Sequence, residues 1–389
     1  MPANLPYMLL LGLAGLNLLI VLVTAVMLEL TARVIGELRS VPVPEGMAWP
    51  RVSLIAAARN EARNIEQAVR SWLALDYPDL QITVVDDRSD DGTGEILDRL
   101  AAESPRINVV HVRELPPGWL GKNHALQAGA DASDGAWLLF TDADVVFETT
   151  ALRRAVAYAT ERQVDHLAAT PDVVVSSWWL QAFCMTFAMF FTLFVKPWKV
   201  RDRRSPAHVG IGAFNLVRAA VYREVGGHGP IALRPDDDIK FGKLVKRAHR
   251  RQDMLQGTAM IRVEWYTSVA ELIRGLEKNA FAGVDYSVPM VLFSAVVLCM
   301  FYAGPFAAVW VTTGVVRWMY AAVVTIFLLL SWRGTRAMQL PATCVIAFPL
   351  TVLLFVYIQL RTMYLNLRDG GLQWRGTFYP LKELRANRV

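Results

Sequence analysis

Cysteine is scarce in this chain of 389 residues: Cys184, Cys299 and Cys344 are the only three, and each sits in an apolar stretch. None belongs to a pair with metal-ligand spacing, so neither a zinc site nor a disulfide framework can be drawn from them. Charge is scarce as well, at 19% Asp, Glu, Lys and Arg against 54% hydrophobic residues, with a mean hydropathy of +0.31. That balance excludes a wholly water-soluble protein and calls for membrane segments beside one globular domain. Basic runs with interleaved aromatics are missing too. The net charge of +5 and pI near 9.1 therefore suit an anionic membrane surface, and nucleic acid is not an expected partner. Internal repeats and low-complexity segments are absent.

What is present is unevenly spread. Met8 to Met27 is apolar apart from Asn17 and Thr24, long enough to cross roughly 30 Å of hydrocarbon. A cleaved signal peptide would need a basic leading region and a small-residue cleavage site, and neither is found. Arg33 and Arg39 follow the run while no Lys or Arg precedes it, which places the next domain in the cytoplasm. Residues 1–32 are read as an anchor, 50–285 as the globular domain, 286–365 as further membrane segments and 366–389 as a basic tail. Val288 to Val316, Trp318 to Leu330 and Leu340 to Leu360 are the candidate spans. Three crossings would put the tail outside, whereas its charge argues for inside; either one segment is re-entrant or the charge rule fails. Trp178 to Val195 is a further apolar run. Its flanking Trp178, Trp179, Trp198, Lys196 and Lys199 favour a helix over 176–199 lying at the membrane surface rather than a crossing.

From Arg51 the pattern is that of an α/β domain. Val52 to Ala57, Ile82 to Val85, Val109 to Val112 and Trp137 to Phe140 read as buried strands. Asn64 to Leu75, Gly94 to Glu103 and Asn123 to Asp131 read as helices between them. The alternation implies a mostly parallel, Rossmann-like sheet, whose ligands bind outside the carboxyl ends of the strands. Those ends carry the chemistry: Ala57-Ala58-Arg59-Asn60-Glu61, then Asp86-Asp87-Arg88-Ser89-Asp90-Asp91-Gly92-Thr93, then Asp142-Ala143-Asp144. An Asp pair after a strand is commonly a turn or cap; three such clusters in succession predict one shared crevice.

Transfer from a nucleotide sugar needs this set. The diphosphate leaving group gathers negative charge, and a hard divalent cation such as Mg²⁺ or Mn²⁺, bound through oxygen ligands, neutralises it. Asp142 and Asp144 fit the metal and ribose side, and a carboxylate after the second strand fits the base. Lys122, at a helix start, either adds charge near the diphosphate or is an exposed basic residue. Asp236, Asp237 and Asp238 form a later cluster before a helix read as Ile239 to Ala248. One of the three can be a proton acceptor with a raised pKa, while another caps the helix. Asp236 is expected to be the most dispensable if it is only a cap or loop charge.

In this order the motifs resemble the inverting family-2 glycosyltransferases of the GT-A fold, over roughly residues 50 to 285. The resemblance implies a GT-A cytoplasmic domain with N-terminal and C-terminal transmembrane helices, and a glycosyltransferase of hexosyl-transferring type. It places Ala57, Arg59, Glu61, Asp86, Asp87, Lys122 and Asp142 on the donor, with Asp87 and Asp86 at the base. It gives Asp144, with Asp142, to the metal, and makes Asp238, preceded by Asp237, the base that activates the acceptor. Gly210 to Asn215 looks like the acceptor-side loop, with Phe214 and Asn215, alongside Trp178 and Trp179. His228 is read as a loop histidine, with donor or metal contact as the alternative. The anchor, the apolar C-terminal region and the tail around Trp374 look like the bacterial subgroup associated with hopanoid and carotenoid glycosylation, multi-pass in the cytoplasmic membrane. The expected partners are a nucleotide-sugar donor and a lipid-like acceptor: a polyprenoid, hopanoid, carotenoid or glycolipid. Processive polysaccharide synthases carry Gln-x-x-Arg-Trp after the late acidic pair. Here Arg274-Gly-Leu-Glu-Lys278-Asn279 stands instead, which favours a single transfer. A nucleotidyltransferase would need a Gly-rich loop where Ala-Ala-Ala-Arg-Asn stands, and a non-catalytic membrane scaffold is the remaining alternative.

Overall fold

The computed structural model describes residues 5–389. Helix α1 (Leu5–Val34) leads into β1 (Gly36–Glu37), and then β2 (Val52–Ala58), α2 (Ile65–Leu73), β3 (Leu80–Asp87), α3 (Thr93–Glu103), β4 (Ile107–Val112), α4 (Gly121–Asp131) and β5 (Trp137–Asp142) alternate. There follow β6 (Val145–Phe147), α5 (Ala151–Glu161), β7 (His166–Thr170), β8 (Asp172–Val174), α6 (Trp178–Val195), α7 (Pro197–Val200), β9 (Asn215–Arg218), α8 (Ala219–Glu224), α9 (Asp237–Arg247), β10 (Gln252–Gln256) and β11 (Ile261–Glu264). The main sheet has eight strands in the order β1-β10-β7-β9-β5-β2-β3-β4. It is parallel except for β9, which runs antiparallel to both β5 and β7. A second sheet has three strands in the order β6-β11-β8, with β11 antiparallel to β6 and parallel to β8.

The four strands and three helices expected from the sequence are all present, a few residues longer or shorter. Central β2 reads as an unbroken apolar run because both its faces are covered: Leu54, Ile55 and Ala56 are fully buried. Helices α2 and α4 bury Ile65, Val69, Trp72, Ala125 and Leu126. Helix α9 begins at Asp237, two residues before the expected start, since acidic residues suit the exposed N–H groups of a first turn.

The chain divides into two compact units, and their boundaries differ from one continuous domain over 50–285. The α/β unit comprises residues 34–174, 195–265 and 382–389. The apolar unit comprises the residues up to Arg33, residues 175–194 and residues 266–381. It contains α10 (Val269–Leu276), α11 (Val288–Leu298), α12 (Gly304–Val311), α13 (Gly314–Ala337) and α14 (Phe348–Arg368), then a hairpin, β12 (Gly371–Trp374) and β13 (Thr377–Pro380). Helix α15 (Leu381–Ala386) carries the chain back into the α/β unit. Five helical stretches among the described residues are long and apolar enough to cross a membrane: Leu5–Val34, Trp178–Val200, Val288–Val311, Gly314–Ala337 and Ala342–Arg368.

Within the apolar unit Val21, Met185, Phe327, Phe348 and Val352 share one core. Arg333 pairs with Glu29 at 2.8 Å and Arg361 with Glu277 at 2.7 Å. The expected surface helix over 176–199 is two pieces. The chain breaks at Lys196, which takes a left-handed φ of 54°, and Pro197 starts the next short helix. Trp178 donates its indole N–H to Thr343 Oγ1 at 2.9 Å, and Trp179 remains exposed beside it.

Candidate active site

Strand register brings the acidic clusters together. Ala57 lies opposite Asp142 across the β2–β5 pair, and Ala58 lies opposite Asp86 across β2–β3. The turn after β2 is then tied to the turn after β3. Asn60 donates from its backbone to Ser89 Oγ (3.0 Å) and from its side chain to Asp90 Oδ1 (2.7 Å). Glu61 N–H donates to Thr93 Oγ1 at 2.9 Å, and Ala62 N–H to Asp91 Oδ2 at 3.0 Å. Asn60 and Arg88 both hold left-handed φ values, 56° and 58°, so this joint is strained and over-determined by its hydrogen bonds. Ser89, Asp90, Asp91 and Thr93 thus serve to brace the two turns.

At the end of β3, Asp87 is nearly buried and accepts two bonds from its neighbour Arg88, at 2.8 and 3.0 Å, with Arg59 3.8 Å away. Asp86 meets His111 Nδ1 at 3.2 Å. The other nitrogen of that ring meets Asp98 at 2.9 Å, and the two carboxylates, Asp98 foremost, hold the imidazole above its ordinary pKa.

Beside Asp142 at the end of β5, Lys122 is neither a surface charge nor loosely placed. Its ammonium lies 2.9 Å from Asp142 and 3.4 Å from Asp237. Burial alone would lower its pKa, but Asp142, Asp237 and Asp238 hold it above the ordinary range. The Asp144 carboxyl is pushed up to about 7 by burial, then by the charges of Asp142 and Glu61. Lys122 offsets this only in part, and a hard divalent ion would complete the compensation, so the donor set fits Mg²⁺ or Mn²⁺. Among the described residues no three His, Cys, Asp or Glu side chains converge as a complete protein cage. A cation here would take its remaining ligands from diphosphate and water.

Opposite stands Asp238, whose Oδ2 accepts the Gly212 N–H at 2.8 Å and whose Oδ1 accepts the N–H of Ile239 at 2.7 Å. Burial first, and Asp237 second, push its carboxyl up to about 7, the range in which a general base works. Gly212 is the hinge between the two sides. A Cβ on it would stand 2.6 Å from Asp142 Oδ2, so only glycine lets this loop touch both carboxylates. A Cβ on Gly210 would collide with the backbone carbonyl of Asp238.

Three expectations change. Phe214 is fully buried, edge-on to Phe147 at 5.7 Å, so its side chain reaches no acceptor. Asn215, although buried, lines the pocket with Lys122, Asp142 and Asp238, and its Oδ1 accepts the Ile211 N–H at 3.2 Å and meets His166 at 3.0 Å. Asp236 is no loop charge and its side chain caps nothing, because it forms a bidentate pair at 2.9 and 3.0 Å with Arg234, whose side chain is fully buried. His228 is not a loose loop histidine. It lines the pocket with Lys122, Asp142, Asp237 and Asp238, stacks on Phe241, and meets Tyr222 through Nδ1 at 2.8 Å. Burial pushes its imidazole down to about 3, so it is neutral there. Trp178 and Trp179 belong to the apolar unit. Nothing in the sequence marks Arg234 or Asn123, whereas the Gly-x-Gly spacing within the expected loop of residues 210–215 hints at the close backbone approach found at Gly212.

Residues 53–226 match the family described as glycosyl transferase family 2. The chain is 22% identical over 346 residues to the 4,4'-diaponeurosporenoate glycosyltransferase of Staphylococcus aureus, covering 85% of this chain and 89% of that one. It is 34% identical over 125 residues to the beta-monoglucosyldiacylglycerol synthase of Synechocystis, covering 32% of this chain and 24% of the relative. The match to glycosyltransferase AglD of Haloferax volcanii is 34% over 131 residues, and the chain spans only 20% of that relative's length. Among solved structures, the mannosyltransferase PcManGT of Pyrobaculum calidifontis, described in complex with GDP-Man and Mn²⁺, superposes with a TM-score of 0.54 at 18% identity. That match covers 90% of this chain and 99% of that one, and the likeness is one of fold.

Proposed function

We propose that this chain, a glycosyltransferase with a family-2 domain on a GT-A-like, mostly parallel sheet, transfers one sugar from a nucleotide-sugar donor to a hydroxyl of a lipid-like acceptor. The observation that carries the reading is the juxtaposition across Gly212: the Asp142–Lys122 pair on one side and Asp238 on the other. Asp142 and Asp144 would hold Mg²⁺ or Mn²⁺, which when bound offsets the charge of the departing diphosphate. Asp86 and Asp87, held by His111 and Arg88, orient the base. Asp238 takes the proton as the acceptor oxygen bonds to the anomeric carbon; the bond to the diphosphate oxygen breaks on the opposite face, so the configuration inverts. Gly212 holds Asp238 ready for that proton.

A lipid-like acceptor is supported by the apolar unit and by the names of the carotenoid and diacylglycerol relatives. We place the α/β unit at the cytoplasmic face of a bacterial inner membrane. That segments 34–174, 195–265 and 382–389 belong to one unit supports a reading in which α6 begins and ends on one side and residues 266–381 make an even number of crossings, one of the three span-length helices there being re-entrant. This keeps the basic tail inside, in accord with the charge rule, and makes α6 a surface or re-entrant helix. The test uses the full chain in lipid nanodiscs with UDP- and GDP-sugars and a polyprenol. Expected is an EDTA-sensitive glycolipid of inverted anomeric configuration, identified by mass spectrometry and NMR. Absence of donor consumption, or a product of retained configuration, would overturn the reading.

A further inference from the structure

The segment that delivers Asp237 and Asp238 is gripped from two sides by asparagines distant in sequence. On one side is Asn123, next to Lys122 on α4 and almost wholly buried. Its Nδ2 donates to the carbonyls of Ile231 (2.7 Å), Arg234 (2.9 Å) and Ala232 (3.2 Å), and Leu120 N–H adds a bond to Ala232 at 2.8 Å. On the other side is Asn387, in the stretch that returns from the apolar unit. Its Oδ1 accepts the Leu233 N–H at 2.9 Å and its Nδ2 donates to the Pro230 carbonyl at 2.9 Å. Backbone groups of Pro230, Ile231, Ala232, Leu233 and Arg234 are thus bonded to residues outside the segment.

The returning stretch also grips the catalytic helix. Leu384 is fully buried, and Val389 packs into the core that holds Phe140, Tyr222, Ile231, Phe241 and Val245, the last two from α9. Lys243, also on α9, donates to the Val389 carbonyl at 2.6 Å. Residues 382–389 therefore touch both the approach to Asp238 and the helix that Asp237 begins. They contribute no atom to the pocket.

We propose that Asn387 is a positioning residue for the acceptor base, and that residues 382–389 form a strap through which the last part of the chain sets the place of Asp238. The proposal rests on the transfer reading above. Because a displacement of about 1 Å can cost roughly a hundredfold in rate, loss of two hydrogen bonds to the segment just before the base should show in turnover. Asn387 is half-buried at the surface, so its replacement leaves the core packed.

Asn387→Ala and Asn387→Asp in the full chain in nanodiscs test it, with transfer kinetics, donor affinity, melting temperature and amide exchange measured together. For Asn387→Ala the expected result is a kcat reduced tenfold or more, donor affinity within twofold of wild type, and exchange at Leu233 accelerated at least tenfold. Asn387→Asp keeps an acceptor for the Leu233 amide and should recover part of both effects. Wild-type kcat in Asn387→Ala, or a loss matched by equal losses of donor affinity and melting temperature, would overturn the proposal. Failure of the transfer reading looks different: the wild-type chain then moves no sugar, while unchanged exchange at Leu233 would still refute the strap.

Discussion

Lys122 Nζ lies 2.9 Å from Asp142 Oδ1 and, through the same ammonium, 3.4 Å from Asp237. One partly buried cation therefore joins Asp142, at the end of β5, to the acidic pair that opens α9. Removing it leaves three aspartates confronting one another. Lys122→Met should weaken nucleotide-sugar binding about 10- to 100-fold, the worth of one charge-assisted hydrogen bond of about 1.5–3 kcal/mol. Lys122→Arg should retain part of the affinity. Titration calorimetry with donor checks this, and unchanged affinity in Lys122→Met would remove Lys122 from the donor site.

Asp144→Asn should abolish metal-dependent transfer while leaving the fold intact. The carboxyl is held near 7 by burial and by Asp142 and Glu61, so neutralising it relieves repulsion. Melting in the absence of metal should be unchanged or higher, and the increment on adding Mn²⁺ should vanish. Near-normal activity with Mg²⁺ or Mn²⁺ would show that the cation binds elsewhere.

The pH dependence follows from Asp144 and Asp238, both raised to about 7 from an unfolded value near 4. Between those values the folded chain holds more protons than the unfolded one, so stability falls as pH rises from about 4 to 7. Metal-free protein should therefore melt lower at pH 7.5 than at pH 5.5, with Mn²⁺ restoring more at the higher pH. Transfer needs ionised Asp238, so its rate should climb through pH 7 and level off above it. Asp238→Asn should lower turnover on the order of 10²- to 10⁴-fold with donor affinity nearly unchanged. A variant that turns over at full rate would move the base to Asp237.

Asp236→Asn is a stability change rather than a catalytic one. It leaves the fully buried Arg234 guanidinium with a neutral partner, which costs about 3–5 kcal/mol when a buried pair is broken. Chemical denaturation should show that loss, together with reduced expression. A stability within 1 kcal/mol of wild type would mean that water or another carboxylate replaces the partner.

Replacing Trp178, Trp179 and Trp198 together by serine should impair transfer to a lipid more than hydrolysis of the donor. Trp179 is exposed and Trp198 partly so, and interfacial indoles suit contact with a membrane acceptor. Paired assays of the two reactions on one preparation decide it, and equal losses in both would point to destabilisation instead.

Local signals carried much of this protein. The alternation of buried strands and amphipathic helices specifies β2 to β5 with their helices, and in a Rossmann-like sheet Asp86, Asp87, Asp142 and Asp144 then fall at the carboxyl edge of those strands. Apolar runs of span length marked the helices long and apolar enough to cross a membrane, because a hydrocarbon layer needs length and composition but no particular partner. Tertiary structure decided what depends on residues far apart in the chain. Lys122 reaches Asp142 and Asp237 only because α4 and α9 converge. Gly212 matters because two carboxylates close on it from different elements. Arg234 and Asp236 are close in sequence, yet only the packing around them turns a loop charge into a buried pair. The return of residues 382–389 to the α/β unit has no periodic signature at all: a single asparagine gripping a backbone segment 154 residues away is a geometric match, and geometry of that range exists only once the chain has folded.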